Sequence, residues 1–158
     1  MDKNPLVSRL NKLVPKSILE TRRFGRTGVT SIWVESDSIL QIASILKNDA
    51  ETAFDWLENL SVVEFEEALV VSYFLRSTQT SNTLVVRISL VPTSAEAEVS
   101  APSVRLVWPM AEPMEREAEE MFGVQFRSGG EKQDVKAIER RWKGFPLRKK
   151  FVMAGLEK

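Results

Sequence analysis

Two neighbouring apolar segments constrain the fold of this chain more than any other feature. The segment from Ala68 to Leu75 is rich in valine and aromatic residues, and Thr83 to Val91 alternates apolar and polar side chains. Both patterns are typical of β-strands that bury one face. The polar link Ser77–Asn82 separates the two segments, which predicts an antiparallel hairpin.

Apolar residues at helical spacing predict helices elsewhere. We expect one helix before Pro15, one from Ser36 to Asp49 and one after Pro109. Gly123 follows the last of these, at the point where a left-handed residue commonly ends a helix. A further helical turn or two is expected over Ala50–Leu57.

Short strands and loops complete the order of elements. Ser17–Phe24 and Val29–Val34 are expected to pair across a turn at Gly25–Gly28, and Pro92–Pro102 is expected to be a loop. The resulting order is helix, two strands, helix, two strands or more, helix and tail. It predicts an α+β fold with helices packed on a mostly antiparallel sheet, followed by an extended C-terminal arm.

The chain contains no cysteine and no histidine, which excludes several classes of function. Thiolate-bound iron–sulfur clusters, most zinc sites and haem ligation need one of these residues, and Ser-His-Asp or Cys-His catalysis lacks its base. We therefore expect no catalytic, cofactor-binding or metal-binding residues in this chain. No apolar run approaches the roughly 18 residues of a membrane-spanning helix, and no signal or transit peptide is seen. A cytoplasmic location is expected.

Charge is unevenly distributed, although the formal net charge is zero. Residues 127–158 carry ten basic and four acidic residues, whereas residues 1–126 carry twelve basic and eighteen acidic ones. We therefore expect an α+β domain at 1–126 and a basic arm at 127–158 that contacts a negative surface. Because Trp142, Phe145 and Phe151 interleave with the basic residues, the arm suits single-stranded nucleic acid and a protein groove equally.

Glutamates cluster in the predicted third helix, at Glu112, Glu115, Glu117, Glu119 and Glu120. Di-metal helix bundles combine such glutamates with histidine, which is missing here. Arg116 stands within i,i+4 reach of two of them, so surface ion pairs are expected. We interpret the glutamates as a solvated or partner-facing side of the helix. The glycine pairs lack the Lys-Ser/Thr of a phosphate-binding loop and are interpreted as turns.

Two sequence blocks resemble the signature of a known family. The first runs from Pro102-Ser103-Val104 through Trp108-Pro109 and Glu115-Arg116-Glu117 to Met121-Phe122-Gly123-Val124-Gln125-Phe126, and the second is Gly144-Phe145-Pro146-Leu147-Arg148-Lys149-Lys150-Phe151. In this order and separation they resemble the C-type subunits of respiratory complex I. That family also occurs in membrane-bound hydrogenases, formate hydrogenlyases and other ferredoxin-linked complexes.

The resemblance implies a cofactor-free structural or assembly subunit in the peripheral arm of a membrane-bound redox complex. Such a subunit packs against a hydrogenase-like large subunit and lies near iron–sulfur subunits and antiporter-like membrane subunits. The iron–sulfur clusters, and nickel–iron where present, belong to those partners. The chain would lie at the cytoplasmic face and contact the membrane only through the complex, and nucleic acid is not an expected partner. The interface residues that the resemblance implies are Trp108, Pro109, Glu115, Arg116, Glu117, Phe122, Gly123, Trp142, Pro146, Leu147, Arg148 and Lys149.

The chain departs from the family pattern in the second block. Phe145 stands where the family has histidine, and Lys150-Phe151 stands where it has Asp-Tyr. The electron donor is therefore left open between NADH and ferredoxin, and the acceptor between quinone, protons, sulfur or another compound. The arm is expected to bury little against its own domain and to need a partner that offsets its ordering entropy.

Overall fold

A five-stranded sheet forms the centre of the fold. The computed structural model of the protein describes residues 5–94, 97–128 and 144–149. The strands of the sheet are β1 (Ile18–Phe24), β2 (Val29–Val34), β3 (Trp56–Phe65), β4 (Ala68–Arg76) and β5 (Thr83–Leu90). They lie in the order β1-β2-β5-β4-β3.

Strand pairing follows the predicted alternation of side chains. β4 and β5 form the predicted hairpin with Leu75 opposite Leu84, and the N–H of Ser77 donates to Asn82 O (2.9 Å) in the link between them. The β1–β2 and β3–β4 pairs are antiparallel, whereas β2 and β5 are parallel. The prediction of an α+β fold with a mostly antiparallel sheet is confirmed.

Three helices pack on one face of this sheet: α1 (Pro5–Leu13), α2 (Ile39–Asn48) and α3 (Ala111–Phe122). Leu10, Ile42 and Ala118 from these helices share one buried core with alternate strand residues such as Val71 and Val86. The alternation arises because successive side chains of a strand point to opposite faces of the sheet. No helix of the described ranges has the length and apolar character needed to cross a membrane.

The segment predicted to be helical over Ala50–Leu57 contains a turn and the start of β3. Asp49 Oδ2 accepts the N–H of Thr52 (3.1 Å), and Thr52 Oγ1 donates to Leu46 O (3.0 Å). These local bonds end α2 and redirect the chain, and Ala53 has a positive φ of 41°. The helical prediction was wrong because side-chain bonds to the backbone compete with helix formation.

A second, smaller sheet replaces part of the predicted loop over Pro92–Pro102. β6 (Val99–Pro102) pairs in parallel with β7 (Val124–Arg127), which follows α3. A four-residue strand is too short to display a period of two, and its partner becomes adjacent only after α3 has returned the chain. The sequence pattern therefore carried no signal for either strand.

The predicted C-terminal arm is described only in part. Residues 127–128 and 144–149 are described, and the latter form turns that pack on α3 of the same chain. The expectation that the arm buries little against its own domain is wrong for 144–149, because Phe145 and Arg148 are both buried. Trp142 and Phe151 lie outside the described residues.

Candidate partner-binding site

The glutamate near the centre of α3 is buried. Glu115 is 5% exposed. Its Oε2 accepts a hydrogen bond from Ser103 Oγ (2.6 Å), and its Oε1 accepts one from the N–H of Val104 (2.8 Å). The interpretation of Glu115 as part of a solvated or partner-facing side is therefore wrong. The carboxylate satisfies two donors of a buried turn and joins the start of the first signature block to α3.

Burial governs the electrostatics around this carboxylate. Desolvation raises the pKa of Glu115 above its ordinary value, and the bonds from Ser103 and Val104 partly oppose that shift. Burial also raises the pKa of Tyr73, with a smaller contribution from the Glu115 charge. The Tyr73 hydroxyl finds no hydrogen-bond partner within the described ranges. Glu115 and Tyr73 therefore lie in the low-dielectric interior of the protein, away from solvent.

The Trp108-Pro109 pair begins the approach to α3. Trp108 is 1% exposed, and its indole Nε1 donates to Phe54 O (2.9 Å). The side chain of Lys47 in α2 donates to Val107 O (2.5 Å). These two bonds fix the loop before α3 to the main core, while Pro109 itself is exposed. Trp108 is therefore a core residue rather than an exposed contact residue.

The C-terminal end of α3 receives the second signature block. Gly123 ends the helix in the left-handed conformation with φ +72°, as predicted, and its N–H donates to Glu119 O (3.0 Å). A Cβ atom on residue 123 would collide with the ring of Phe145. The glycine is therefore required both for its backbone conformation and for the close approach of this ring.

Hydrogen bonds hold residues 144–149 in this position. The N–H of Leu147 donates to Met121 O (3.0 Å), and Arg148 Nε donates to Phe122 O (2.7 Å). Both acceptors are carbonyls of the last helical turn, which have no intrahelical partner. The Arg148 guanidinium also lies 4.8 Å from the centroid of the Phe145 ring. Arg148 thus acts as a cap of α3.

One further bond ties the segment to the main sheet. The N–H of Lys149 donates to a carboxylate oxygen of Glu64 in β3 (2.6 Å). Glu64 was missed from sequence because it stands 85 residues away from its partner in an ordinary-looking strand. Ser103 and Glu115 both stand in the first signature block, but their hydrogen bond was not predicted from sequence either.

The implied interface residues divide by exposure. Trp108, Glu115, Gly123 and Arg148 are buried; Phe122 and Pro146 are half-buried; Pro109, Arg116, Glu117, Leu147 and Lys149 are exposed; and Trp142 lies outside the described residues. On α3, Arg116 pairs with Glu112 (3.5 Å), an exposed i,i+4 pair as predicted. The structure therefore exposes one part of the implied set on α3 and residues 144–149 and buries the other.

The buried carboxylate of this site is engaged in structural hydrogen bonds. The buried carboxylate of Glu115 already accepts two hydrogen bonds, from a serine hydroxyl and a backbone N–H, and neither donor is an acid–base partner. Across the described ranges, no three Asp or Glu side chains converge as metal ligands would. The exposed members of the implied interface are Pro109, Arg116, Glu117, Leu147 and Lys149.

Comparison with known proteins identifies the family. Residues 32–157 match the model of the family described as the respiratory-chain NADH dehydrogenase 30 Kd subunit. The C-type subunit of NADH-quinone oxidoreductase from Roseiflexus castenholzii is 30% identical over 160 residues, covering 99% of this chain and 88% of that protein. The C/D-type subunit of NADH-quinone oxidoreductase from Pseudomonas fluorescens is 26% identical and is covered over 27% of its length.

A solved structure shares the fold. One chain of the membrane-bound sulfane sulfur reductase, an archaeal respiratory membrane complex, superposes with a TM-score of 0.65. The two chains are 24% identical, and the match covers 84% of this chain and 74% of that one. The family match extends over both signature blocks, α3 and the sheet from Ile32 in β2 onward. The chain belongs to the respiratory-chain NADH dehydrogenase 30 Kd subunit family.

Proposed function

We propose that the chain is a cofactor-free structural subunit in the peripheral arm of a membrane-bound, complex I-like respiratory complex. It packs against a hydrogenase-like large subunit, near iron–sulfur subunits and antiporter-like membrane subunits, at the cytoplasmic face. Electrons pass from NADH or ferredoxin to quinone or another acceptor through the partners. The family match over residues 32–157 carries this proposal. The lack of cysteine and histidine agrees with cofactors held elsewhere.

The exposed surface of α3 and residues 144–149 supports a docking role. Leu147 is 56% exposed although the backbone on either side of it is hydrogen-bonded. A large apolar side chain held outward on a rigid segment loses little conformational entropy when a partner covers it. Arg116 and Glu117 lie on the exposed side of α3 and supply polar contacts at the rim.

Affinity purification of the tagged chain from its native membranes in mild detergent tests this proposal. We expect a large subunit and iron–sulfur subunits to be recovered at stoichiometric amounts. Recovery of the chain alone, or of the chain with nucleic acid, would contradict the proposal. The electron donor and acceptor are then read from the activity of the recovered complex.

A matched pair of leucine variants tests the docking surface. Leu147→Ser removes an apolar contact from the proposed interface, and Leu19→Ser makes the same change at an equally exposed position in β1, where the side chain is 60% exposed. We expect Leu147→Ser to reduce recovery of the large subunit by about tenfold, while Leu19→Ser leaves it unchanged. Equal recovery with both variants would show that residues 144–149 do not contact the partner.

A further inference from the structure

One face of the five-stranded sheet carries no helix of the described chain. The helices share their core with the alternate strand residues that point to one face of the sheet, including Ile32, Tyr73 and Val86. The intervening strand residues point to the opposite face and are absent from that core. Trp33 in β2 and Arg87 in β5 lie at the centre of this face. We call this opposite side the open face.

An arginine lies at the centre of the open face between two aromatic rings. Arg87 stands directly opposite Trp33 in the parallel β2–β5 pair. Its guanidinium carbon is 5.0 Å from the centroid of the Phe24 ring and 5.8 Å from that of Trp33. Both distances are within the range of a cation–π contact. The two rings therefore hold the guanidinium in place on the surface of the sheet.

This arginine has no carboxylate partner within the described ranges, unlike several others. Arg9 pairs with Asp49, Arg22 with Glu20 and Arg76 with Glu58. Two buried donors of the open face, Arg87 Nε and Trp33 Nε1, also lack an acceptor among the described residues. Buried donors without acceptors are rare in folded proteins, and each calls for an explanation such as a water, an ion or a partner group.

Exposed apolar side chains extend the same face toward the edges of the sheet. Phe24 in β1 is 42% exposed, and Val63 and Phe65 in β3 are 54% and 63% exposed. The β3–β4 register places Val63 opposite Val70 and Phe65 opposite Ala68, on the side away from the helices. A central cation with apolar flanks matches the composition of protein interface hot spots, which are enriched in aromatic residues and arginine.

We propose that the open face binds a segment of a partner subunit that presents an Asp or Glu carboxylate to Arg87. Apolar residues of that segment pack on Phe24 and Phe65. This inference rests on the proposed function, since it assigns a second contact surface within the same complex. Charge complementarity favours a carboxylate, because the guanidinium has none among the described residues. A nucleic-acid base is disfavoured because Arg87 already covers the rings on which it would stack.

A single introduced thiol measures whether the face is covered. The chain has no cysteine, so Ser89→Cys provides a unique thiol on the open face, two residues from Arg87. Gln41→Cys on the exposed side of α2 is the matched control. We expect N-ethylmaleimide to modify the Ser89→Cys variant about tenfold more slowly in the purified complex than in the free chain. The control should react equally in both.

Zero-length cross-linking identifies the occupant. In Arg87→Lys, a carbodiimide joins the introduced amine to any carboxylate that contacts it. We expect mass spectrometry of the complex to find this residue joined to an Asp or Glu of another subunit. A matched lysine on the helix side, Lys12, should not form that link.

The outcomes separate this inference from the proposed function. If the chain recovers its partners but the Ser89→Cys thiol reacts equally in both states, only the open-face inference fails. Protection without a carboxylate link, a link to a second copy of the chain, or protection abolished by nuclease would each overturn the proposed occupant. If no partner is recovered at all, the proposed function itself fails.

Discussion

The ring of Phe145 occupies the space that a Cβ atom on Gly123 would need. The contact links the residue that caps the C-terminal end of α3 to residues 144–149, and both belong to the signature blocks. Gly123→Ala should therefore lower the free energy of unfolding by about 2–4 kcal/mol, through left-handed strain plus the collision with the ring. Urea unfolding of the chain measures the loss.

Gly25→Ala is the matched control for this change. Gly25 also has a positive φ, of 47°, but a Cβ atom there meets nothing within 4 Å. We expect it to cost about 1–2 kcal/mol, from strain alone. In a Phe145→Ala background the cost of Gly123→Ala should fall to the same value. Equal costs for the two glycine variants in the wild-type background would mean that Phe145 does not pack on Gly123.

Arg148→Met should destabilise the C-terminal turn of α3. The bond from Arg148 Nε to Phe122 O (2.7 Å) is charge-assisted and partly buried, so its loss should cost about 1.5–3 kcal/mol. Lysine lacks the planar fork of guanidinium, so Arg148→Lys should not restore this stability. Chemical unfolding curves of the three proteins provide the measurement.

Lys149→Met serves as the neighbouring control. The hydrogen bond of this residue to Glu64 comes from its backbone N–H, so the substitution leaves it intact. Its side chain is exposed, and we expect a change within about 0.5 kcal/mol. A loss as large as that of Arg148→Met would indicate a general sensitivity of the segment to charge.

Glu115 should give the chain a characteristic pH dependence. Burial raises its pKa in the folded state, so the folded chain binds more protons than the unfolded chain between the two pKa values. The stabilising contribution of Glu115 is complete below its pKa in the unfolded chain, about 4.3. That contribution is lost as the pH rises through the pKa of Glu115 in the folded chain. The stability of the wild type relative to Glu115→Gln should therefore decrease from about pH 4 upward.

Asp49 provides a comparison of opposite sign. The hydrogen bond from Arg9 (2.6 Å) lowers the pKa of Asp49 in the folded chain. The contribution of Asp49 to stability is therefore present above its pKa in the unfolded chain and is lost as the pH falls through its pKa in the folded chain. Unfolding free energies of Asp49→Asn and Glu115→Gln, measured across the same pH series, should diverge. Parallel curves would contradict the burial of Glu115.

Tyr73→Phe should leave the chain equally stable or stabilise it by about 1 kcal/mol. The Tyr73 hydroxyl is buried in the core and has no hydrogen-bond partner in the described ranges, so its removal relieves a desolvation cost. Thermal unfolding monitored by circular dichroism tests this. A clear loss of stability would reveal a hydrogen bond to that hydroxyl, for example through an ordered water molecule.

Local pattern was sufficient for much of the fold. The β4–β5 hairpin, the pairing across Gly25–Gly28 and the left-handed end of α3 at Gly123 were all predicted, because each depends on neighbouring segments of the chain. β3, β6 and β7 were missed. β3 begins inside a segment whose apolar residues also fit a helix. β6 and β7 are strands only because they pair with each other, and α3 separates them in the chain.

The candidate site was harder to predict because exposure depends on tertiary structure. Glu115 and Glu117 are two residues apart on one helix, yet one is buried under Ser103 and the other is exposed. Charged residues are rarely buried, so the default interpretation placed both outside. The second signature block was recognised from sequence, but its packing on α3 depends on bonds to Met121, Phe122 and Glu64 that no spacing rule reveals.

The parallel pairing of β2 with β5 determines when this protein can fold during its synthesis. Thr30 lies opposite Leu84, so the β1–β2 hairpin leaves the ribosome long before its neighbour exists. β3, β4 and β5 are joined by short links and can assemble as a meander. Pairing β5 with β2 then closes the long loop that contains α2, β3 and β4, which costs additional entropy. Until then β2 presents an unpaired edge, on which nascent chains can associate. N-terminal fragments that stop before Thr83 should therefore accumulate as aggregates, whereas chains extending through Leu90 contain every strand of the central sheet.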